Sequence, residues 1–301
     1  MRVVIAGGSG FLGRHLTQAL RQSGDRVTAL VRRAPRGPDE AGWDPVAGVV
    51  PFAAIDGADT VVNFCGAGIG DRRWTDARRE VLRASRIEPT ELLAAACAKL
   101  SVPTLVNASA VGYYGDRGDD TVTEADGPGA GFLARLCADW EAATGAATAA
   151  GVRVVNLRTG LVLGPDGGML PRLVLLTKAL LGGRLGSGQQ WWPWISIVDH
   201  IAAVRFLLRG SDSRAVHGPV NLTAPMPVTN AEFTRALGAV LRRPTPWAIP
   251  PLALRAALGD FAGEILTGQR ALPSMLESSG FTFLQPELAT ALRSFALATR
   301  L

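Results

Sequence analysis

Gly7, Gly10 and Gly13 follow the apolar run Val3-Val4-Ile5-Ala6 at three-residue intervals. Glycines so spaced after a strand can hold the phosphates of a dinucleotide. Gly7 permits a tight turn, Gly10 lets backbone approach a pyrophosphate, and Gly13 lets a helix pack closely on the strand. The N–H groups at the start of that helix then point at the phosphates. Ser9, Phe11 and Leu12 complete the turn, so the expected cofactor-binding set is Gly7, Ser9, Gly10, Phe11, Leu12 and Gly13. A Walker phosphate loop fits badly. Gly8 and Gly13 have its spacing, but Arg14 and His15 stand where it needs Lys and Ser/Thr.

A second apolar run, Arg26 to Val31, ends in Arg32-Arg33. In a dinucleotide fold an acidic residue about 20 positions after the glycines would bind a free ribose 2′-hydroxyl. A carboxylate would repel a 2′-phosphate, whereas a guanidinium pairs with it. Arg32 and Arg33 therefore point to NADP(H) rather than NAD(H). Small residues at two further strand ends, Cys65-Gly66-Ala67 and Ala108, suit a backbone pressed against the same cofactor.

These residues need a scaffold. The chain has 301 residues, 48% of them hydrophobic, enough for a full core. No apolar run approaches the ~20 residues of a membrane span, and no leader pattern precedes the glycines. The expected location is cytoplasmic. The cysteines Cys65, Cys97 and Cys137 and the histidines His15, His200 and His217 are widely scattered, so no metal site or disulfide is expected. Net charge is +5 and comes from arginine, since Lys99 and Lys178 are the only lysines. No basic stripe interleaved with aromatics appears, so no nucleic-acid partner is expected. The expected partner is a small-molecule substrate, with a homodimer as the admissible assembly.

Strand and helix patterns alternate. Strands are expected at Val3–Ala6, Arg26–Val31, Thr60–Cys65, Val102–Ser109, Val152–Leu157 and Val220–Leu222. Pro35 to Gly48 reads as loop or hairpin. Helices are expected after Gly10, over Asp71–Leu100 with a break or kink at Pro89, over Phe132–Ala150, over Asp199–Leu208, and from Ala231 behind a Thr229 or Asn230 cap. Leu133, Leu136, Trp140 and Ala143 form the expected buried face of the helix from Phe132. This is an α/β chain: a Rossmann-type doubly wound parallel sheet with a smaller C-terminal substrate lobe. The expected division is a cofactor domain over 1–165, also taking in 195–223, and a lobe made of 166–194 and 224–301. Trp191, Trp192 and Trp194 either line a substrate wall or pack the lobes together.

The chain resembles the extended short-chain dehydrogenase/reductase superfamily in its glycine turn, in Asn107-Ala108-Ser109 before Tyr-Gly, and in Val162-Leu163-Gly164-Pro165. More narrowly it is similar to the bacterial "epimerase family protein" group, whose members carry their own C-terminal domain. Gly112-Tyr113-Tyr114-Gly115, Phe132 to Cys137 with Trp140-Glu141, Gly186 to Trp191, Pro227 to Phe233 and Gly280-Phe281-x-Phe283 carry that likeness, which runs from end to end. The resemblance implies a nicotinamide cofactor and a sugar- or ketone-like substrate. It also implies a Ser that polarises the substrate oxygen, a Tyr that transfers the proton, and a Lys four residues later that makes the phenol a better base.

This sequence departs from that pattern. Its only tyrosines are Tyr113 and Tyr114, and neither lysine follows them at the right distance. With Glu141 matched to the superfamily helix, Leu133 and Cys137 occupy the Tyr and Lys positions. The candidate catalytic set is therefore Ser109, Tyr113 and Tyr114, with Tyr113-x-x-x-Arg117 as a candidate substitute dyad and Cys137 as a candidate thiol. A Tyr that stays protonated suits carbonyl reduction better than alcohol oxidation. The leading reading is an NADP(H)-dependent oxidoreductase or epimerase-like enzyme. The alternative is a non-catalytic NADP(H)-binding sensor or regulatory protein.

Overall fold

The computed structural model describes residues 1–209 and 216–298. Its centre is a seven-stranded parallel sheet. The strands are β1 (Arg2–Ala6), β2 (Arg26–Val31), β3 (Glu40–Gly42), β4 (Thr60–Asn63), β5 (Thr104–Ala110), β6 (Arg153–Thr159) and β7 (Gly218–Leu222). They lie side by side as β7-β6-β5-β4-β1-β2-β3. The chain works outward from β1 to one edge, then starts again at β4 and works to the other. The order reverses between β1 and β4, the crevice where such sheets bind ligands. The four buried residues of β4, Thr60 to Asn63, show a strand covered on both faces.

Helix α1 (Phe11–Gln22) lays Gly13, Leu16 and Leu20 on the core, as the spacing of its leucines predicts. Helix α2 (Asp76–Lys99) starts later than expected, at a Thr75 cap whose side chain accepts from the Arg78 N–H, and it runs straight through Pro89. Pro89 is buried, and Thr90 returns its hydroxyl to Arg86 O at 2.7 Å. Leu93, Ala94, Ala96 and Cys97 beyond it pack into a core shared with Ala147 and Val154. That burial offsets the one lost backbone bond, so no break occurs.

The expected helix over Phe132–Ala150 is two helices. Helix α3 (Phe132–Ala142) is followed by Gly145–Ala149, and the Thr144 hydroxyl between them donates to Glu141 O. The buried face of α3 is Ala134, Leu136, Cys137 and Trp140, with Leu133 and Ala143 less deeply placed. The loop or hairpin expected over Pro35–Gly48 contains β3, which pairs in parallel with β2. Helix α4 (Ile197–Leu208) starts two residues before its expected position, at a Ser196 cap. Helix α5 (Asn230–Leu241) has a reciprocal capping box between Thr229 and Glu232.

The segments after Pro165 do not stand apart. Trp192, Trp194, Phe233, Leu276, Leu288 and Phe295 belong to the same core cluster as Val3, Ile5 and Leu16. Trp192 packs on Phe233 at 5.2 Å and Trp194 is fully buried, so these two rings join the segments. Trp191 differs: its Nε1 donates to Asp119, and Arg270 lies 4.6 Å over its ring.

Candidate functional site

The glycine turn has the geometry its spacing demands. Gly7 is left-handed at φ +78°, and a Cβ there would stand 2.6 Å from Phe64 O, at the end of β4. A Cβ at Gly13 would run into the Gly7 carbonyl, so α1 can approach the turn only with glycine there. Gly10 N donates to Gly7 O at 3.0 Å and closes the turn. Gly10 is also the N-cap of α1, and no side chain caps the helix. Its first N–H groups are left for a ligand, as a bound pyrophosphate requires. The Phe11 ring packs on Gly164 and Gly167, and His15 and Arg14 reach Asp166 at 2.9 and 3.3 Å. The loop after Leu163 is thereby docked on the helix start.

The two arginines after β2 separate. Arg33 is committed to Glu40, which accepts from both of its terminal nitrogens at 2.6 and 2.7 Å. That pairing holds the Glu40 carboxyl down to about 2. Arg32 is exposed and makes no hydrogen bond or ion pair among the described residues. The expectation of a shared role thus narrows to Arg32, because the Arg33 charge is already neutralised. Cys65 sits at the end of β4, its N–H bonded to Asn63 Oδ1 at 3.0 Å and its thiol pushed up to about 12 by burial. Ala67 is pinned by Ser85 Oγ and by Arg86, each at 3.0 Å. Ala108 O accepts from Asn107 Nδ2 at 3.0 Å.

Asn63, Asn107 and Asn156 stand in register across β4, β5 and β6. Their side chains form a buried ladder, Asn63 to Asn107 at 2.9 Å and Asn107 to Asn156 at 3.3 Å. Thr90 joins it, accepting from Asn63 at 2.8 Å and from Trp140 Nε1 at 2.9 Å. The ladder ties the strand ends below the crevice to α2 and α3.

Beyond β5 lies a second polar cluster. Arg158 of β6 and Glu141 of α3 form a bidentate pair at 2.9 Å, with side chains 3% and 12% exposed. Burial opposes the Arg158 charge, but the Glu141 hydrogen bonds and attraction overcome it, and its pKa ends above the ordinary value. Ser109 Oγ donates to Glu141 at 2.7 Å. The proton that Ser109 was expected to offer a substrate oxygen therefore goes to a carboxylate instead. Tyr114 is fully buried in a short 3₁₀ turn, Val111–Tyr114. Its hydroxyl donates to Asn221 at 2.7 Å and accepts from Arg158 at 3.0 Å, and burial pushes the phenol up to about 12. It braces β6 against β7 and has no proton to spare.

Tyr113 is the contrasting case. It is half-buried, with the Arg158 guanidinium 3.5 Å over its ring and the Tyr114 ring edge-on at 5.5 Å. Its hydroxyl bonds to no described residue. Arg117, the expected dyad partner, is turned away to Tyr114 O and Gly127 O. Cys137 is no reactive thiol: burial lifts it to about 12. Glu141, Arg158 and Asn221 were missed as site residues. The available signals were an acid next to Trp140 on a helix, and polar residues closing the apolar strands β6 and β7.

The profile of the NAD dependent epimerase/dehydratase family matches residues 3–222. The chain belongs to that family. A domain of unknown function, DUF1731, matches residues 249–295 of this epimerase/dehydratase-family chain. An epimerase family protein of Mycobacterium bovis is 51% identical over 96% of both chains. The human epimerase family protein SDR39U1 is 37% identical over 97% of this chain and 99% of the human one. A crystal structure of the human protein with NADPH superposes with a TM-score of 0.89 at 34% identity, covering 99% of each chain. A Corynebacterium glutamicum structure described as a nucleoside-diphosphate sugar epimerase gives 0.78 at 37% identity, over 97% of this chain and 57% of that one. No described helix is long and apolar enough to cross a membrane.

Proposed function

We propose that this epimerase/dehydratase-family protein is an NADP(H)-dependent oxidoreductase that reduces a carbonyl compound, with Tyr113 as the proton donor. The observation that carries the cofactor half is the uncapped α1 start behind a collision-limited Gly7–Gly13 turn, with Arg32 free beside it. The human relative crystallised with NADPH supports the same choice. Gly7, Ser9, Gly10, Phe11, Leu12 and Gly13 would hold the pyrophosphate, Arg32 the 2′-phosphate, and Cys65, Gly66, Ala67 and Ala108 the edge of the cofactor. When bound, the cofactor supplies a hydride. Tyr113 supplies the proton that the new alkoxide needs. Its hydroxyl is unspent, and its ring is fixed by Arg158. With no ammonium at Cys137, the phenol stays a donor, which favours reduction over oxidation. Glu141 acts as a positioning residue, holding Ser109 on one side and Arg158 on the other.

The commitment of Ser109 to Glu141, with no lysine at 137, favours a second reading: a non-catalytic NADP(H) sensor. One titration followed by one screen separates the readings. NADPH fluorescence on adding protein should change saturably, and a carbonyl panel should then oxidise the bound NADPH. Binding without turnover selects the sensor. No binding rejects both.

A further inference from the structure

No aspartate or glutamate occurs between Asp166 and Asp199, or between Glu232 and Asp260. The first of these stretches holds three cations and the second four. The fold brings the two together. Strands Gly183–Leu185 and Trp247–Ile249 pair in parallel, and Trp247 Nε1 donates to Leu180 O at 3.1 Å. Gly186 N then bonds to Ile249 O at 2.9 Å. The helix Leu170–Lys178, the strand pair and the helix Pro251–Leu258 thus adjoin one another.

Their outer side is apolar as well as basic. Leu175, Leu180, Leu181, Trp247 and Leu252 are each more than half exposed. Leu180 is left-handed at φ +60°, uncommon for a leucine, and carries the chain from the helix end to Leu181. Of the helix Pro251–Leu258 only Leu254 is buried. Single exposed leucines are ordinary, but five large apolar side chains on adjoining elements mark a surface that meets something. The same segments carry Lys178, Arg184, Arg242, Arg243 and Arg255, all exposed and none in an ion pair among the described residues. Asp71 and Asp260, at the border, are already paired, with Arg172 at 3.7 Å and Arg79 at 2.6 Å.

Whatever covers this face must be anionic and must take in apolar side chains. A second copy docked through the same face would set cation against cation. Side chains that project, rather than floor a groove, need matched hollows in a protein but none in lipid. Leucine and tryptophan tips flanked by Lys and Arg are the residue types that anchor at a membrane interface.

We propose that this face docks on an anionic lipid surface. Leu175, Leu181, Trp247 and Leu252 enter the headgroup boundary, and the arginines and Lys178 meet the lipid phosphates. The chain then lies on a membrane without spanning it. The test is co-sedimentation of the full chain with vesicles of phosphatidylcholine, alone or mixed with phosphatidylglycerol. The chain should pellet with the mixed vesicles and stay in solution with phosphatidylcholine alone, and high salt should weaken the binding. Replacing both arginines, Arg242→Ala with Arg243→Ala, should weaken it about thirtyfold. Leu252→Ser should weaken it about tenfold. These three side chains are exposed, so the variants should keep the dichroism and thermal midpoint of the wild type. Three results would overturn the proposal: no pelleting with the mixed vesicles, pelleting that Leu252→Ser leaves unchanged, or self-association in sedimentation velocity that Leu252→Ser abolishes. The second, with equally tight binding to polyglutamate, would assign the face to an acidic protein; the third would assign it to a second copy.

Discussion

Arg32 and Arg33 are adjacent, identical and chemically equivalent on paper, and only one has a charge to give. Glu40 neutralises Arg33 from both of its oxygens, while Arg32 is exposed without a partner among the described residues. Arg32→Asp should weaken NADPH binding about a hundredfold, since a charge-assisted bond is lost and a repulsion added, and leave NADH nearly unchanged. Equal effects in parallel fluorescence titrations would remove Arg32 from the 2′-phosphate. The tyrosines divide in the same way. Tyr113→Phe should abolish carbonyl reduction while leaving NADPH affinity and stability close to wild type, because its hydroxyl bonds to no described residue. Tyr114→Phe should instead cost about 1–3 kcal/mol in urea unfolding, because Asn221 and Arg158 each lose a buried partner. The sequence revealed the residue types here but not this division. Which of two neighbours is spent depends on Glu40, Asn221 and Arg158, and local spacing carries no trace of distant partners.

The strand–turn–helix unit β1–α1 was legible because its signals are local: a β-branched run, glycines at fixed intervals, leucines four apart. Edge strand β3 was not. Glu40-Ala41-Gly42 has no strand propensity of its own and is a strand only because β2 pairs with it. Pro89 misled for the opposite reason, since packing along α2 outweighed a local breaker. The Ser109–Glu141–Arg158 cluster was illegible as a unit because β5, α3 and β6 each supply one member. Its worth can be tested at this scale. Glu141→Gln leaves Arg158 buried without a counter-charge, which should destabilise the chain by about 3 kcal/mol. Pairing it with Arg158→Gln should recover part of that loss in a double-mutant cycle. Strict additivity in chemical unfolding would mean that the two side chains do not act as a pair.

At the scale of the molecule, the expected division near Pro165 meets a core that runs across it. Leu276, Leu288 and Phe295 share a cluster with Val3 and Ile5, and Glu124 accepts from both Asn221 N and Met275 N. Unfolding should therefore be one transition, with far- and near-ultraviolet dichroism coinciding; two separated midpoints would mean independent lobes. The acid limb of that transition should be set in part by His200. It is fully buried in α4, its Nε2 is 3.4 Å from Thr159 Oγ1, and its Nδ1 has no hydrogen-bond partner among the described residues. Burial holds it down to about 3, against an ordinary value of 6.5. Between those two values the unfolded chain binds a proton that the folded chain refuses. Stability is whole above pH 6.5 and falls as the pH drops toward 3, with a slope approaching about 1.4 kcal/mol per unit from this one group. His200→Gln, which cannot take up that proton, should flatten the stability curve between pH 6.5 and 4.5, above the range where most carboxylates titrate. An unchanged slope in that window would mean that His200 is protonated in the folded chain as readily as in the unfolded one.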